Sequence, residues 1–97
     1  MPDASAAETA RIVVENDGTD LRCVWIEPWG EDYWLRPEEK LTVRGLGSGT
    51  GWFHLCWHAD GAGSVYVEGE GTRFFDVTVN DRDAACGHQR PPGAFDE

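Results

Sequence analysis

His54, Cys56 and His58 stand at every second position of the stretch WFHLCWHAD, with Phe53, Leu55 and Trp57 between them. In an extended chain, side chains two apart share a face and lie roughly 6.5–7 Å apart along the backbone. Two imidazoles and a thiolate can therefore lean around one ion. These are the ligand types that zinc and copper favour, and Cys86 and His88 of CGHQ offer a second pair. The five residues are the candidates for a metal site, with zinc or copper as its cofactor. The spacing lacks the paired C-x-x-C elements of a structural zinc site. The set is complete only if the C-terminal loop folds back beside His54 and His58. A third chemistry uses the same residues: a histidine next to Cys56 or Cys86 can generate a thiolate nucleophile at neutral pH.

A second constellation lies in WIEPWGEDYW, where Trp25, Trp29, Tyr33 and Trp34 surround Pro28 and Gly30. Indole and phenol rings stack on sugars, apolar ligands and partner side chains, and they recur as interface anchors. Trp29, held at a turn between Pro28 and Gly30, is the ring expected to be exposed. The competing reading is that some of these rings plug the end of a small core.

Other chemistries fit poorly. GLGSGTG lacks the Lys and the strand-to-helix setting of a phosphate-cradling loop. Glu27, Glu31 and Asp32 could pair as acid and base, but in a chain with 18 Asp and Glu such clusters arise by chance. NDRD at 80–83 suits a turn better than a Ca²⁺ loop. Neither Ser48 nor Ser64 sits in a nucleophile-elbow sequence.

The elements that position these groups follow from length and pattern. Ninety-seven residues make one domain. A formal charge of -10 repels phosphate backbones and anionic membrane surfaces, so nucleic acid and membranes are not expected partners. A basic protein is compatible with that charge. No apolar run approaches a membrane span, and MPDASAAETA has neither a basic end nor an apolar segment. Three cysteines, Cys23, Cys56 and Cys86, are an odd number and argue against a closed disulfide framework. The expectation is a soluble cytoplasmic chain.

Apolar runs separated by turn clusters about every 8–12 residues predict an all-β fold. The runs are ARIVVEN, LRCVWIE, YWLR, KLTVR, WFHLCWH, SVYVEG and RFFDVTVN. Asp-Gly in NDGTD signals a hairpin, and EGEGT is expected to close a second. Alternation turns inward Ile12 and Val14, Val24 and Ile26, Leu41 and Val43, Phe53 with Leu55 and Trp57, Val65 and Val67, and Phe75 with Val77 and Val79. It turns outward His54, Cys56 and His58, with Tyr66 and Asp76. The prediction is a single small antiparallel β-sandwich of about seven short strands over residues 10–88, between a disordered tail at 1–9 and a flexible tail at 89–97. Its edges, and an outer face carrying Tyr66, Phe74 and Cys56, suggest a homodimer.

Three resemblances add to this. YWLRPEEKLTV is similar to the L-x-P-G-E-x-x-x-V connection of immunoglobulin-like and cupredoxin-like Greek-key sandwiches, with Glu38 where that pattern has Gly. The resemblance covers about a tenth of the chain and implies fold only. CGHQ resembles the copper loop of cupredoxins but departs from it: the only Met is Met1, the loop follows the last strand, and no separate upstream His is placed. The combination of EPWGEDYW and CGHQRP resembles short bacterial proteins of unknown function, which implies that the two motifs belong together. The functional expectation is a small non-enzymatic binding module whose aromatic loop, Trp29, Tyr33, Trp34 and Trp25, contacts a protein or an apolar small molecule. Metal binding by the His/Cys face is the alternative.

Overall fold

Short alternating runs bounded by Gly, Pro and Asp fold as strands because β-branched and aromatic side chains pack on a pleated surface half-covered by a second layer. In the computed structural model, residues 8–47, 52–68 and 72–95 are described, with side chains described over 10–45, 52–68 and 76–95. Among them there is no helix. Eight strands form, β1 (Glu8–Glu15), β2 (Arg22–Glu27), β3 (Glu31–Leu35), β4 (Lys40–Gly47), β5 (Trp52–Trp57), β6 (Gly63–Glu68), β7 (Thr72–Val79) and β8 (Arg82–Asp83). They make two four-stranded sheets, ordered β1-β4-β7-β8 and β3-β2-β6-β5. The strand beyond the expected seven is β8, two residues that follow the Asn80-Asp81 turn. Both turn residues have positive φ, 49° and 66°, the backbone that a tight two-residue hairpin requires and that Asn and Asp tolerate.

One apolar cluster draws on both sheets. Val14, Leu41, Val43, Val77 and Val79 come from the first, and Val24, Ile26, Tyr33, Leu35 and Val65 from the second. Ile12, Phe53, Leu55 and Val67 pack against it half-buried, as alternation assigned them, whereas Trp57, expected inward with Phe53 and Leu55, is 43% exposed and lies under the Arg22 guanidinium. The side chains of Phe74 and Phe75 lie outside the described residues.

The connections differ from expectation. NDGTD is not a hairpin: β1 pairs with β4 while β2 joins the other sheet. Asp-Gly gives the local turn, but Asn16 redirects the chain. Its buried amide donates to the carbonyls of Asp20 and Leu35, both at 2.8 Å, and its Oδ1 accepts from the Gly18 N–H at 3.0 Å. Its main chain pairs with Glu38 and Glu39. The six-residue connection so anchored, residues 16–21, crosses between layers. Residues 69–71, in EGEGT, are outside the described residues, yet β6 and β7 on either side belong to different sheets, so this too is no hairpin. Nor is the pairing wholly antiparallel, since β2 and β6 run parallel. This follows once the chain leaves and re-enters the second sheet by way of a β5–β6 hairpin.

The tail is the other correction. Residues 89–95 do not leave the domain but lie against β2 and β3, through contacts described below.

Two stability predictions follow. Asn16→Ala strands the carbonyls of Asp20 and Leu35 and the Gly18 N–H, and is expected to cost about 2–3 kcal/mol in urea unfolding. Glu38 sits at φ 73°, where a Cβ is strained and Gly is favoured. Glu38→Gly is expected to raise the urea midpoint by about 0.5–1 kcal/mol equivalent with unchanged slope, the relieved strain exceeding the added unfolded-chain entropy.

Candidate functional site

The β2–β3 hairpin sets Cys23 opposite Trp34 and Trp25 opposite Asp32. Because Val24, Ile26, Tyr33 and Leu35 fill the core, those four residues point to the outer face. That face is covered. The chain after β8 runs along the β3 edge as a strap and lays its Arg90 and Phe95 side chains over that face: Tyr33 and His88 form a parallel bridge, Trp34 N–H donates to the His88 carbonyl at 2.8 Å, and Gly87 N–H donates to the Asp32 carbonyl at 2.7 Å. The Gln89 amide donates to the Trp34 carbonyl and to Glu39 Oε1, each at 2.8 Å. Gly87 has φ 84°, and a Cβ there would crowd the Arg90 guanidinium at 3.1 Å, so glycine relieves both the backbone and the packing where the strap turns under that side chain.

Asp32 is the centre of this contact. It is 1% exposed, and a buried carboxylate stays ionised only when paired and hydrogen-bonded. Arg90 supplies the charge as a fork, Nε to Oδ2 at 2.7 Å and Nη2 to Oδ1 at 2.5 Å. Trp34 Nε1 donates to Oδ2 at 2.8 Å, and Cys86 Sγ donates to Oδ1 at 3.6 Å. Arg90 above all, with the Trp34 indole, outweighs burial and holds the Asp32 carboxyl down at about 2. The same pair raises Arg90. Nearby, burial first and the Asp32 charge second push the Cys23 thiol up to about 12, which keeps it an inert thiol.

The strap ends in Phe95, whose ring lies 5.5 Å from Trp25 and 6.4 Å from Trp34, tilted against both. Arg90 stands 5.1 Å over the same ring, a cation–π contact that fixes its place. The three rings wall a cleft of about 560 Å³ that residues 18–21 and the turn 60–62 also line. Its rim carries the exposed carboxylates of Asp20 and Asp60. The cation lining it is Arg22, committed to Asp17 at 3.3 Å, to the Gly61 carbonyl at 3.1 Å and to the Trp57 ring at 4.3 Å.

The expected site residues are thereby redistributed. Trp29 is exposed at the β2–β3 turn, 47%, but away from the cleft. Tyr33 is not available as a ligand contact: its ring is in the core at 2% exposure, its hydroxyl donates to Glu31 at 2.7 Å, and burial raises its phenol. Trp25 and Trp34 do share a surface, joined by Phe95.

The five metal candidates are split. His54, Cys56 and His58 face outward at the β5 edge of the sheet, as alternation required, whereas Cys86 and His88 lie beyond β3 at the opposite edge. Four strand spacings, about 19 Å, separate the groups. Among the described residues, no three His, Cys, Asp or Glu side chains are placed to hold one ion. His58 Nε2 instead meets Ser64 Oγ at 2.7 Å, and the His54 ring lies 6.2 Å from Tyr66. All three cysteines are free, and among the described residues no thiol is hydrogen-bonded to an imidazole, the pairing that a thiol enzyme needs. No described helix is long and apolar enough to cross a membrane.

Sequence reasoning missed Arg90 and Phe95, and it weighed Asp32 only as an acid/base candidate and set it aside. Asp32 is one of 18 acids, and nothing local separates it from the rest. The available signal was the association of EPWGEDYW with CGHQRP, which the structure brings into direct contact through Asp32 and Arg90. No protein-family model, curated protein or solved structure matches the chain.

The pair predicts a pH dependence. Asp32 titrates at about 2 when folded against 3.8 ordinarily, so its contribution is present above pH 3.8 and is lost as pH falls toward 2. Asp32→Asn is expected to be less stable than the parent at pH 7, and the gap in urea midpoint is expected to close between about pH 4 and pH 2.

Proposed function

We propose that the protein is a small non-enzymatic binding module, built as a β-sandwich, that takes a ligand with an apolar body and a cationic end into the cleft between Trp25, Trp34 and Phe95. The observation that carries this reading is the convergence of three rings on one concave surface whose rim bears Asp20 and Asp60. Rings supply apolar contact area at low entropic cost, and their faces attract cations. With Arg22 held by Asp17 and Trp57, the carboxylates set the sign of the rim. A chain charge of -10 draws cations toward it. A basic, aromatic or aliphatic side chain of a partner protein meets the same description as an organic amine. Free thiols throughout fit a reducing compartment such as the cytoplasm.

Phenethylamine and its uncharged analogue 2-phenylethanol test the reading. Titration followed by the indole N–H signals is expected to shift Trp25 and Trp34 with millimolar affinity, phenethylamine binding about fivefold or more tightly. Asp20→Asn with Asp60→Asn is expected to remove that preference, and Trp25→Ala to weaken both ligands about tenfold. Trp29→Ala leaves both unchanged. If neither compound moves the Trp25 and Trp34 signals, the cleft is not the binding site.

A further inference from the structure

Two arginines stand beside the cleft, and both lie over rings. The Arg22 guanidinium is 4.3 Å from the Trp57 centroid, and that of Arg90 is 5.1 Å from the Phe95 centroid. Each is also paired with a carboxylate, Arg22 with Asp17 and Arg90 with Asp32. Among the described residues, Asp20 and Asp60 have no such partner. With both arginines matched, the charge left at the cleft is that of these two carboxylates.

Which cation answers that charge depends on the acceptors the cleft can offer. A primary ammonium carries three N–H donors and is strongly hydrated, and removing its water is costly unless acceptors replace it. Around the rings those acceptors are already engaged. The carbonyls of Asp20, Gly61, Ala62 and Trp34 accept from Asn16, Arg22, His58 and Gln89. Cys23 and Trp25 belong to β2, whose main chain is bonded to a strand on either side. Asp32 is taken up by Arg90, the Trp34 indole and Cys86, and Asp60 gives one oxygen to the Ala62 N–H.

A quaternary ammonium brings the same charge with no N–H to satisfy. Its methyl groups meet a ring face as apolar surface and as a cation at once. Phe95 is tilted 36° from Trp25 and 49° from Trp34, with centroids 5.5 and 6.4 Å away. The rings thus form a corner, in which one trimethylammonium group can lie within about 6 Å of two centroids.

Resting on the binding-module reading above, we propose that the cleft selects a small quaternary ammonium compound, a trimethylammonium group on a short apolar body, over the corresponding primary amine. Its volume of about 560 Å³ is that of a small-molecule site. Asp20 and Asp60 repel a ligand that carries an anion beside its cation, such as phosphocholine.

Trimethylphenethylammonium and phenethylamine, titrated into the full chain at pH 7 and followed by the Trp25 and Trp34 indole N–H signals, test the selection. The quaternary compound is expected to bind about tenfold more tightly. Choline is expected to bind about fivefold or more tightly than its uncharged isostere 3,3-dimethylbutanol and than phosphocholine. Phe95→Leu keeps an apolar side chain at an exposed position. It is expected to cut the quaternary-to-primary ratio to about threefold or less while 2-phenylethanol binding changes less than about twofold. Equal or tighter binding of phenethylamine, phosphocholine or dimethylbutanol matching choline, or an unchanged ratio in Phe95→Leu overturns the proposal and leaves the binding-module reading standing. A trimethyllysine peptide that binds more tightly than trimethylphenethylammonium overturns the assignment to a small molecule. If neither phenethyl compound moves the indole signals, the binding-module reading falls and this proposal with it.

Discussion

The pairing of Asp32 with Arg90 organises the surface on which the functional reading rests. A carboxylate placed on β3 by strict alternation would remain a solvated side chain if the chain ended at β8. The strap covers it, removes its water and must replace that water with charge and donors, which Arg90, Trp34 and Cys86 provide. Breaking such a pair from one side leaves an uncompensated buried charge, and the cost of that state, more than the worth of the pair itself, makes the strap's position definite. Phe95 is carried to Trp25 and Trp34 by the same segment. The cleft is thus a consequence of an ion pair some residues away from it.

A second constraint is Asn16. Five polar contacts from one residue hold the crossover between sheets, which removes β2 from the strand that precedes it in sequence. The hairpin signal in NDGTD describes the local backbone well and the topology badly. Turn chemistry reads neighbours within four residues, whereas the choice between pairing back and crossing over depends on where the carbonyls of Leu35 and Glu39 have been placed.

The two sheets carry different tasks. The β1-β4-β7-β8 sheet supplies half of the core and presents charged pairs such as Arg44 with Asp76 outward. The β3-β2-β6-β5 sheet carries the strap and cleft at one edge and, at the other, β5, which lies close to β1 of the first sheet.

The sequence by itself determined the class of structure, the strand segments, the inward rows and the outward placement of His54, Cys56 and His58, because a period of two is a property of the extended chain and needs no knowledge of its neighbours. It also marked Glu38 as standing in a position that suits Gly, since φ preference is local. Only the tertiary structure decided which strands pair, that Tyr33 belongs to the core while Trp34 does not, that Cys86 and His88 lie at the edge opposite to His54 and His58, and that the last residues pack as a strap. Each of those outcomes depends on contacts between residues 19 to 58 positions apart, and such contacts are chosen by the competition to satisfy buried polar groups across the whole fold rather than by any pattern along the chain.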